Sequence, residues 1–148
     1  MGIYIKNIEN SNWRECIKLD VNKEQRSFIQ SNLHSIAESK FQNEVRLLGI
    51  YKDNIMVGFA SYILDEEGDM NLYKLMIDKH YQGKGYGKES LILVMDIIRK
   101  ETKNKEVWLS LHPNNTVAIK LYNKFGFKKE VTGLETEDEI FLKYDFLE

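Results

Sequence analysis

Hydrophobic positions change their period several times along the chain, and each change marks an element. Ile3, Ile5 and Ile8 lie near a two-residue alternation, which predicts a short first strand. Asn10, Ser11 and Asn12 supply helix N-cap chemistry, and Trp13, Ile17 and either Leu19 or Val21 then form an inward stripe. A second helical piece is expected over residues 23–31, carrying Phe28 and Ile29, and a third over residues 35–40. Strand chemistry follows. Residues 46–51 and 55–64 flank Lys52, Asp53 and Asn54, a short polar hairpin turn. Residues 65–69 turn the chain again, into a strand over residues 71–77.

The second half is more regular. Leu91, Val94, Met95 and Ile98 recur at i, i+3, i+4 and i+7 inside a helix expected over residues 87–100, and Ile92, Leu93 and Ile97 broaden its apolar face. Val107, Leu109 and Leu111 alternate with Trp108, Ser110 and His112, the mark of a fifth strand. Strand, helix and strand in that order demand a right-handed crossover and parallel pairing. Asn114 and Asn115 then cap a helix bearing Ala118, Leu121, Tyr122 and Phe125, with Gly126 as its stop. Residues 127–132 and 139–146 form a last hairpin. The expected fold is α/β in the α+β sense. A mostly antiparallel mixed sheet of about six or seven strands has one parallel pair, with about four helices around it. Ligands in such sheets sit where neighbouring strands diverge.

Composition narrows the class. The 148 residues suit a single domain over 1–148, with 43% hydrophobic and 30% charged residues. A net charge of -2 argues against nucleic acid as a partner. No apolar run approaches the ~20 residues of a membrane span, and Met1-Gly2-Ile3-Tyr4 begins no signal peptide. The single cysteine, Cys16, excludes an internal disulfide and points to a reducing cytoplasm. It reads as a packing residue beside Ile17 and Leu19. His34, His80 and His112 show no metal-ligand spacing, so no metal is expected.

The densest chemistry lies between residues 75 and 88. The apolar run Leu75-Met76-Ile77 leads into a polar turn, then Gly83, Gly85 and Gly87 at alternate positions, then the long helix. A glycine turn feeding a helix start leaves N–H groups unpaired at the positive end of the dipole, which makes an anion site. A Walker loop would need glycine at position 82 and Ser or Thr after Lys88, where the chain has Gln82 and Glu89. The dinucleotide fingerprint G-x-G-x-x-G fails on spacing. Alternating glycines alone would also suit a plain flexible turn.

Gln82-x-x-Gly85-x-Gly87 after a strand resembles the acetyl-coenzyme A loop of the GNAT N-acetyltransferase superfamily. About 28 residues on, Asn115-x-x-Ala118-x-x-Leu121-Tyr122-x-x-x-Gly126-Phe127 extends that resemblance across most of the second half. The resemblance implies acetyl-CoA as cosubstrate. The backbone of Met76 and Ile77 would pair with the pantetheine amides, in the manner of a strand added to a sheet edge. The N–H groups of Gln82, Gly83, Lys84, Gly85, Tyr86, Gly87 and Lys88 would hold the pyrophosphate, with Lys84 and Lys88 adding charge. Asn115 would lie by the pantetheine arm, and Tyr122 would give a proton to the departing thiolate. Tyrosine on an apolar helix face also reads as core. For a base acting through water, Glu24, Asp69 and Asp78 are the candidates.

Within the superfamily the chain most resembles bacterial spermine/spermidine N-acetyltransferases. The shared features are Asn12-Trp13-Arg14-Glu15-Cys16, Glu24-Gln25 with Phe28, Asn32 with residues 35–38, and Val57-Gly58-Phe59-Ala60. Asn71 and Lys74 depart from it, standing where relatives tend to have an aromatic residue and an arginine. A polyamine acceptor attacking directly in a ternary complex is therefore expected, with Glu24, Glu38 and Asp69 as acceptor-binding carboxylates and Glu15 beside them. The acidic runs at 65–69 and 135–139 fall on turns, where solvated acids are common. A homodimer is allowed for. The competing readings are a protein N-terminus, lysine or aminoglycoside as acceptor, and a CoA-binding module without turnover.

Overall fold

The computed structural model describes residues 2–42 and 44–146; Met1, where the leader pattern was sought, lies outside them. The strands are β1 (Tyr4–Asn7), β2 (Val45–Lys52), β3 (Ile55–Leu64), β4 (Met70–Ile77), β5 (Glu106–Leu111), β6 (Lys128–Glu130) and β7 (Ile140–Asp145). The helices are α1 (Trp13–Ile17), α2 (Asn32–Ser39), α3 (Tyr86–Glu101) and α4 (Thr116–Phe125). Seven strands form one sheet in the order β1-β2-β3-β4-β5-β7-β6. Every pairing is antiparallel except β4 with β5.

Local chemistry explains most of the boundaries. Asp53 and Asn54 take φ of 51° and 68°, so β2 and β3 join through a two-residue turn of the kind that matches strand twist. Ser31 caps α2 by accepting from the His34 N–H at 3.1 Å, which starts that helix ahead of the expected residue 35. Asn115 caps α4 through the Ala118 N–H at 3.4 Å. The helix expected over residues 23–31 is reduced to a 3-10 turn, Lys23–Gln25. So short a segment has little helical stability of its own, and its side chains are claimed elsewhere, Arg26 by Asp20 at 2.7 Å and Gln25 by Gln82 at 2.9 Å. In α1 the buried residue is Cys16, with no exposure, while Trp13 and Ile17 are only half-buried. Asn12 faces backwards and satisfies Glu9, Asn7 and Tyr51 instead of capping α1.

Two apolar layers sandwich the sheet. On one side Leu91, Val94 and Ile98 of α3, all at 0% exposure, pack with Leu72, Val107 and Leu142 beneath them and with Tyr122 and Phe127. Burying each such side chain contributes about 1.5–3 kcal/mol. On the other side Cys16, Val21, Phe59 and Met76 form a smaller layer under α1 and α2. A register shift between Ser61 and Tyr62 leaves Tyr73 as an extra residue in β4. Such a bulge reverses which face the following side chains meet. Accordingly Met70 and Leu72 belong to the α3 side, as do Leu75 and Ile77, whereas Lys74 and Met76 face α2.

Candidate active site

The site begins where the sheet comes apart. β4 is paired with β3 as far as Ile77, but with β5 only at Met70–Val107 and Asn71–Trp108. Beyond Asn71 the two strands diverge, and the β5-facing edge of residues 72–77 has no strand partner. β3 comes close behind that edge. A Cβ on Gly58 would sit 2.5 Å from the Met76 carbonyl oxygen, so this position requires glycine.

A tightly bonded turn carries the chain from β4 into α3. Asp78 accepts from the Asp20 N–H at 2.9 Å, the His80 N–H at 3.1 Å and His80 Nδ1 at 2.9 Å. Although desolvation would raise its pKa, those bonds hold the carboxyl below the usual range. Gln82 is equally occupied. Its Nε2 donates to the Ile77 carbonyl and to Gln25 Oε1, both at 2.9 Å, and its Oε1 accepts from Asn22 Nδ2 at 2.7 Å. Gly83 and Gly85 then take φ of 78° and 82°, and Gly85 is the N-cap of α3. The first helical bond runs from the Glu89 N–H to the Gly85 carbonyl. The N–H groups of Tyr86, Gly87 and Lys88 are thereby left without a helical partner at the positive end of a 16-residue helix.

The third wall comes from α4. A cavity of about 280 Å³ opens between the free edge at Leu75, Met76 and Ile77, the turn from Gln82 to Gly87, and Asn115, Ala118 and Leu121. Val21, Gln25 and Ile29 close its far side. Space in front of Gly83 and Gly85 is empty to 4 Å, and a Cβ on Gly87 would only touch Leu121 at 3.7 Å. An unpaired strand edge ending in a cradle of free N–H groups fits a ligand that joins a peptide-like arm to a diphosphate, which is the build of coenzyme A. Tyr122, the residue after Leu121, does not itself line the cavity; it sits in the core on the α3 side, 8% exposed and edge-on to Phe127 at 5.5 Å. Burial pushes its phenol pKa well up, so it keeps its proton.

The structure thus brings Met76, Ile77, Gln82, Gly83, Gly85, Tyr86, Gly87 and Asn115 to one cavity. Lys84 and Lys88 are exposed on the turn and on the first helical turn. The carboxylates fare differently. Asp69 lies at the opposite end of β4, roughly 20 Å from Leu75 at the usual strand rise, which removes it from the site. Its sequence position said only that it ended a turn. Asp78 is spent on backbone bonds and is no free base. Glu24 is exposed on the 3-10 turn, and Glu38 accepts from Tyr73 Oη at 3.0 Å; neither lines the cavity. Lys74, which the sequence singled out only as a departure from the resemblance, is buried in β4 and does not line the cavity. Among the described residues, no group of three His, Cys, Asp or Glu is placed to hold a metal, and no helix is long and apolar enough to cross a membrane.

Comparison with known proteins agrees with this geometry. The sequence profile of the acetyltransferase (GNAT) family matches residues 5–127. A probable spermine N(1)-acetyltransferase of Bacillus subtilis subsp. natto is 36% identical over 135 residues, 86% of this chain and 89% of that protein. The spermine/spermidine N(1)-acetyltransferase of Bacillus subtilis is 34% identical over the same shares. Among solved structures, the spermidine N-acetyltransferase of Vibrio cholerae in complex with CoA and spermine superposes with a TM-score of 0.77. It is 17% identical and covers 97% of this chain and 95% of that one. The PaiA N-acetyltransferase of Thermoplasma acidophilum in complex with coenzyme A gives a TM-score of 0.75 at 21% identity, covering 99% and 100%. With a matching profile over most of its length, and a split sheet leading into a glycine-capped helix, the chain belongs to the acetyltransferase (GNAT) family and is an acetyl-CoA-dependent N-acetyltransferase.

Proposed function

We propose that the protein transfers the acetyl group of acetyl-CoA to a primary amine of a polyamine of the spermidine and spermine class, by direct attack in a ternary complex. The observation that carries this reading is the pair of relatives at 36% and 34% identity, both named for spermine and matched over 86% of the chain. The thioester supplies an activated acyl group. The chain's own residues do the rest. The free edge of Met76 and Ile77 orients the pantetheine arm, and the N–H groups of Tyr86, Gly87 and Lys88 receive the diphosphate. Lys84 and Lys88 add charge at the rim. Asn115 borders the arm while its side-chain oxygen holds the first turn of α4.

A strand N–H near Ile77 offers a hydrogen bond where negative charge develops on the carbonyl oxygen. Tyr122, protonated because it is buried, is the proton donor to the leaving thiolate. No Asp or Glu lines the cavity among the described residues, so the amine's proton leaves through water. Asn71, which stands where the resemblance has an aromatic, is tied to Asp65 at 2.9 Å and does not line the cavity.

Thiol release from acetyl-CoA, measured with purified protein and a panel of spermine, spermidine and putrescine, tests the assignment. Turnover with spermine or spermidine is expected. Absence of turnover across the panel rejects the polyamine class. Acceptance of peptide N-termini, lysine or an aminoglycoside, read by mass spectrometry, would assign another acceptor. Acetyl-CoA binding with no acceptor at all would mark a non-catalytic module.

A further inference from the structure

Lys74 is a buried cation that acetyl transfer, as derived above, does not use. It is 7% exposed, and its Nζ donates to the Gln30 carbonyl and, at 3.2 Å, to Ser35 Oγ, with the Phe59 ring centroid 5.5 Å away. Ser61, its cross-strand partner, is 1% exposed, and its hydroxyl has no hydrogen-bond partner. With Asn32 and Ser35, four of the seven buried polar residues described belong to this layer beneath α2. No carboxylate forms an ion pair with Lys74 among the described residues. A buried ammonium held only by neutral acceptors is costly, and apolar replacements at such positions are often neutral or stabilising. Stability alone does not explain a lysine here.

Its partners do. Gln30 directly follows Ile29, and Ile29 and Gln25 form the far wall of the cavity. Lys74 directly precedes Leu75, Met76 and Ile77, which form the opposite wall. A second cavity behind Lys74 and Gln30 shares Val21, Ile29 and Met76 with the first, so only those three packed side chains separate the two. The segment from 26 to 31 has no helix or strand of its own to hold it. The β4 bulge is what aims Lys74 across the gap.

We propose that Lys74 is a positioning residue, whose ammonium ties the wall of residues 25–30 to the free edge of β4 and so sets the width of the cavity between them. It rests on the acetyl-transfer reading, though not on the acceptor being a polyamine. The variants Lys74→Met and Lys74→Arg test it, with KM for amine and for acetyl-CoA measured separately, thermal melting, and amide hydrogen exchange of residues 22–35 in the absence of amine. Lys74→Met is expected to melt at or above the wild-type temperature, yet its acetyl-CoA KM should rise about tenfold or more. Exchange at residues 26–31 should quicken. Lys74→Arg, which keeps charge and donors, is expected to restore most of the acetyl-CoA KM.

Equal acetyl-CoA KM in Lys74→Met and wild type overturns the proposal. So does unchanged exchange at residues 26–31. If the wild type accepts no polyamine, that reading fails alone; the amine it does accept then serves for the KM arm, and the exchange arm stands without any acceptor.

Discussion

Gln82 Nε2 donates to the carbonyl of Ile77 at 2.9 Å, closing the chain on itself five residues after β4 reaches its last cavity-lining residue. The same side chain holds Asn22 and Gln25 from the segment after α1. One amide therefore fixes the strand end, the turn and the far wall together. Removing it as Gln82→Ala should cost about 1–3 kcal/mol and weaken CoA binding by calorimetry. Gln82→Glu should be worse, because a carboxylate cannot donate to Ile77 or Gln25. Wild-type CoA affinity in either variant would separate the turn from the cofactor site.

Gly85 and Gly87 differ in what a side chain would meet. Gly85 caps α3 at φ 82°, where any L side chain is strained by about 1–2 kcal/mol. Gly87 is helical, and a Cβ there makes only ordinary contact with Leu121 at 3.7 Å. Gly85→Val should lower the melting temperature and abolish CoA binding. Gly87→Val should melt near wild type and still lose CoA, since its methyl groups fill the cavity. CoA binding retained by Gly87→Val would mean that the diphosphate lies elsewhere.

Tyr122→Phe keeps the edge-on contact with Phe127, so folding and CoA affinity should hold. Loss of a general acid should lower kcat by about 10²-fold or more. The raised phenol pKa predicts no fall in wild-type activity from Tyr122 ionisation below its ordinary value of 10.0. A wild-type rate in Tyr122→Phe would assign the proton to water.

Burial draws the Lys74 pKa from 10.5 to about 8, opposed by Cys16 and Glu38. Below pH 8 both states hold the proton and the full cost of the buried charge is present. Between 8 and 10.5 the unfolded state binds more protons, so this group's contribution to stability rises with pH. Cys16, pushed up by burial from 9.0 to about 12, acts in the opposite sense over the higher range, where stability is lost as pH rises. Comparing wild type with Lys74→Met cancels most of the cysteine effect. The stability advantage of the methionine variant, at most ~3 kcal/mol, should shrink between pH 8 and pH 10. A difference that stays flat would mean that Lys74 is not desolvated.

Much of the second half was legible because its signals are local. The i, i+3, i+4, i+7 spacing in α3, the Asn115 cap and the Gly126 stop each depend on residues a few positions apart, and the structure keeps all three. The first half was less so. Residues 23–31 looked helical by composition, yet their polar side chains are spent on Asp20 and Gln82, and only a 3-10 turn survives. Asp69 and Asp78 were both plausible bases, because a carboxylate's number along the chain carries no information on its distance from a strand edge.

The amino-acid order by itself determined the parallel crossover, the glycine turn at the head of α3 and the family to which they point, since short-range backbone preferences and helix-end chemistry are written in neighbouring residues. Tertiary structure alone decided that β4 parts from β5 after Asn71, that the bulge at Tyr73 turns Lys74 toward α2, and that Gln82 is a brace. Those outcomes depend on register and on contacts between residues such as Lys74 and Gln30 or Gln82 and Asn22, which only folding brings within bonding distance.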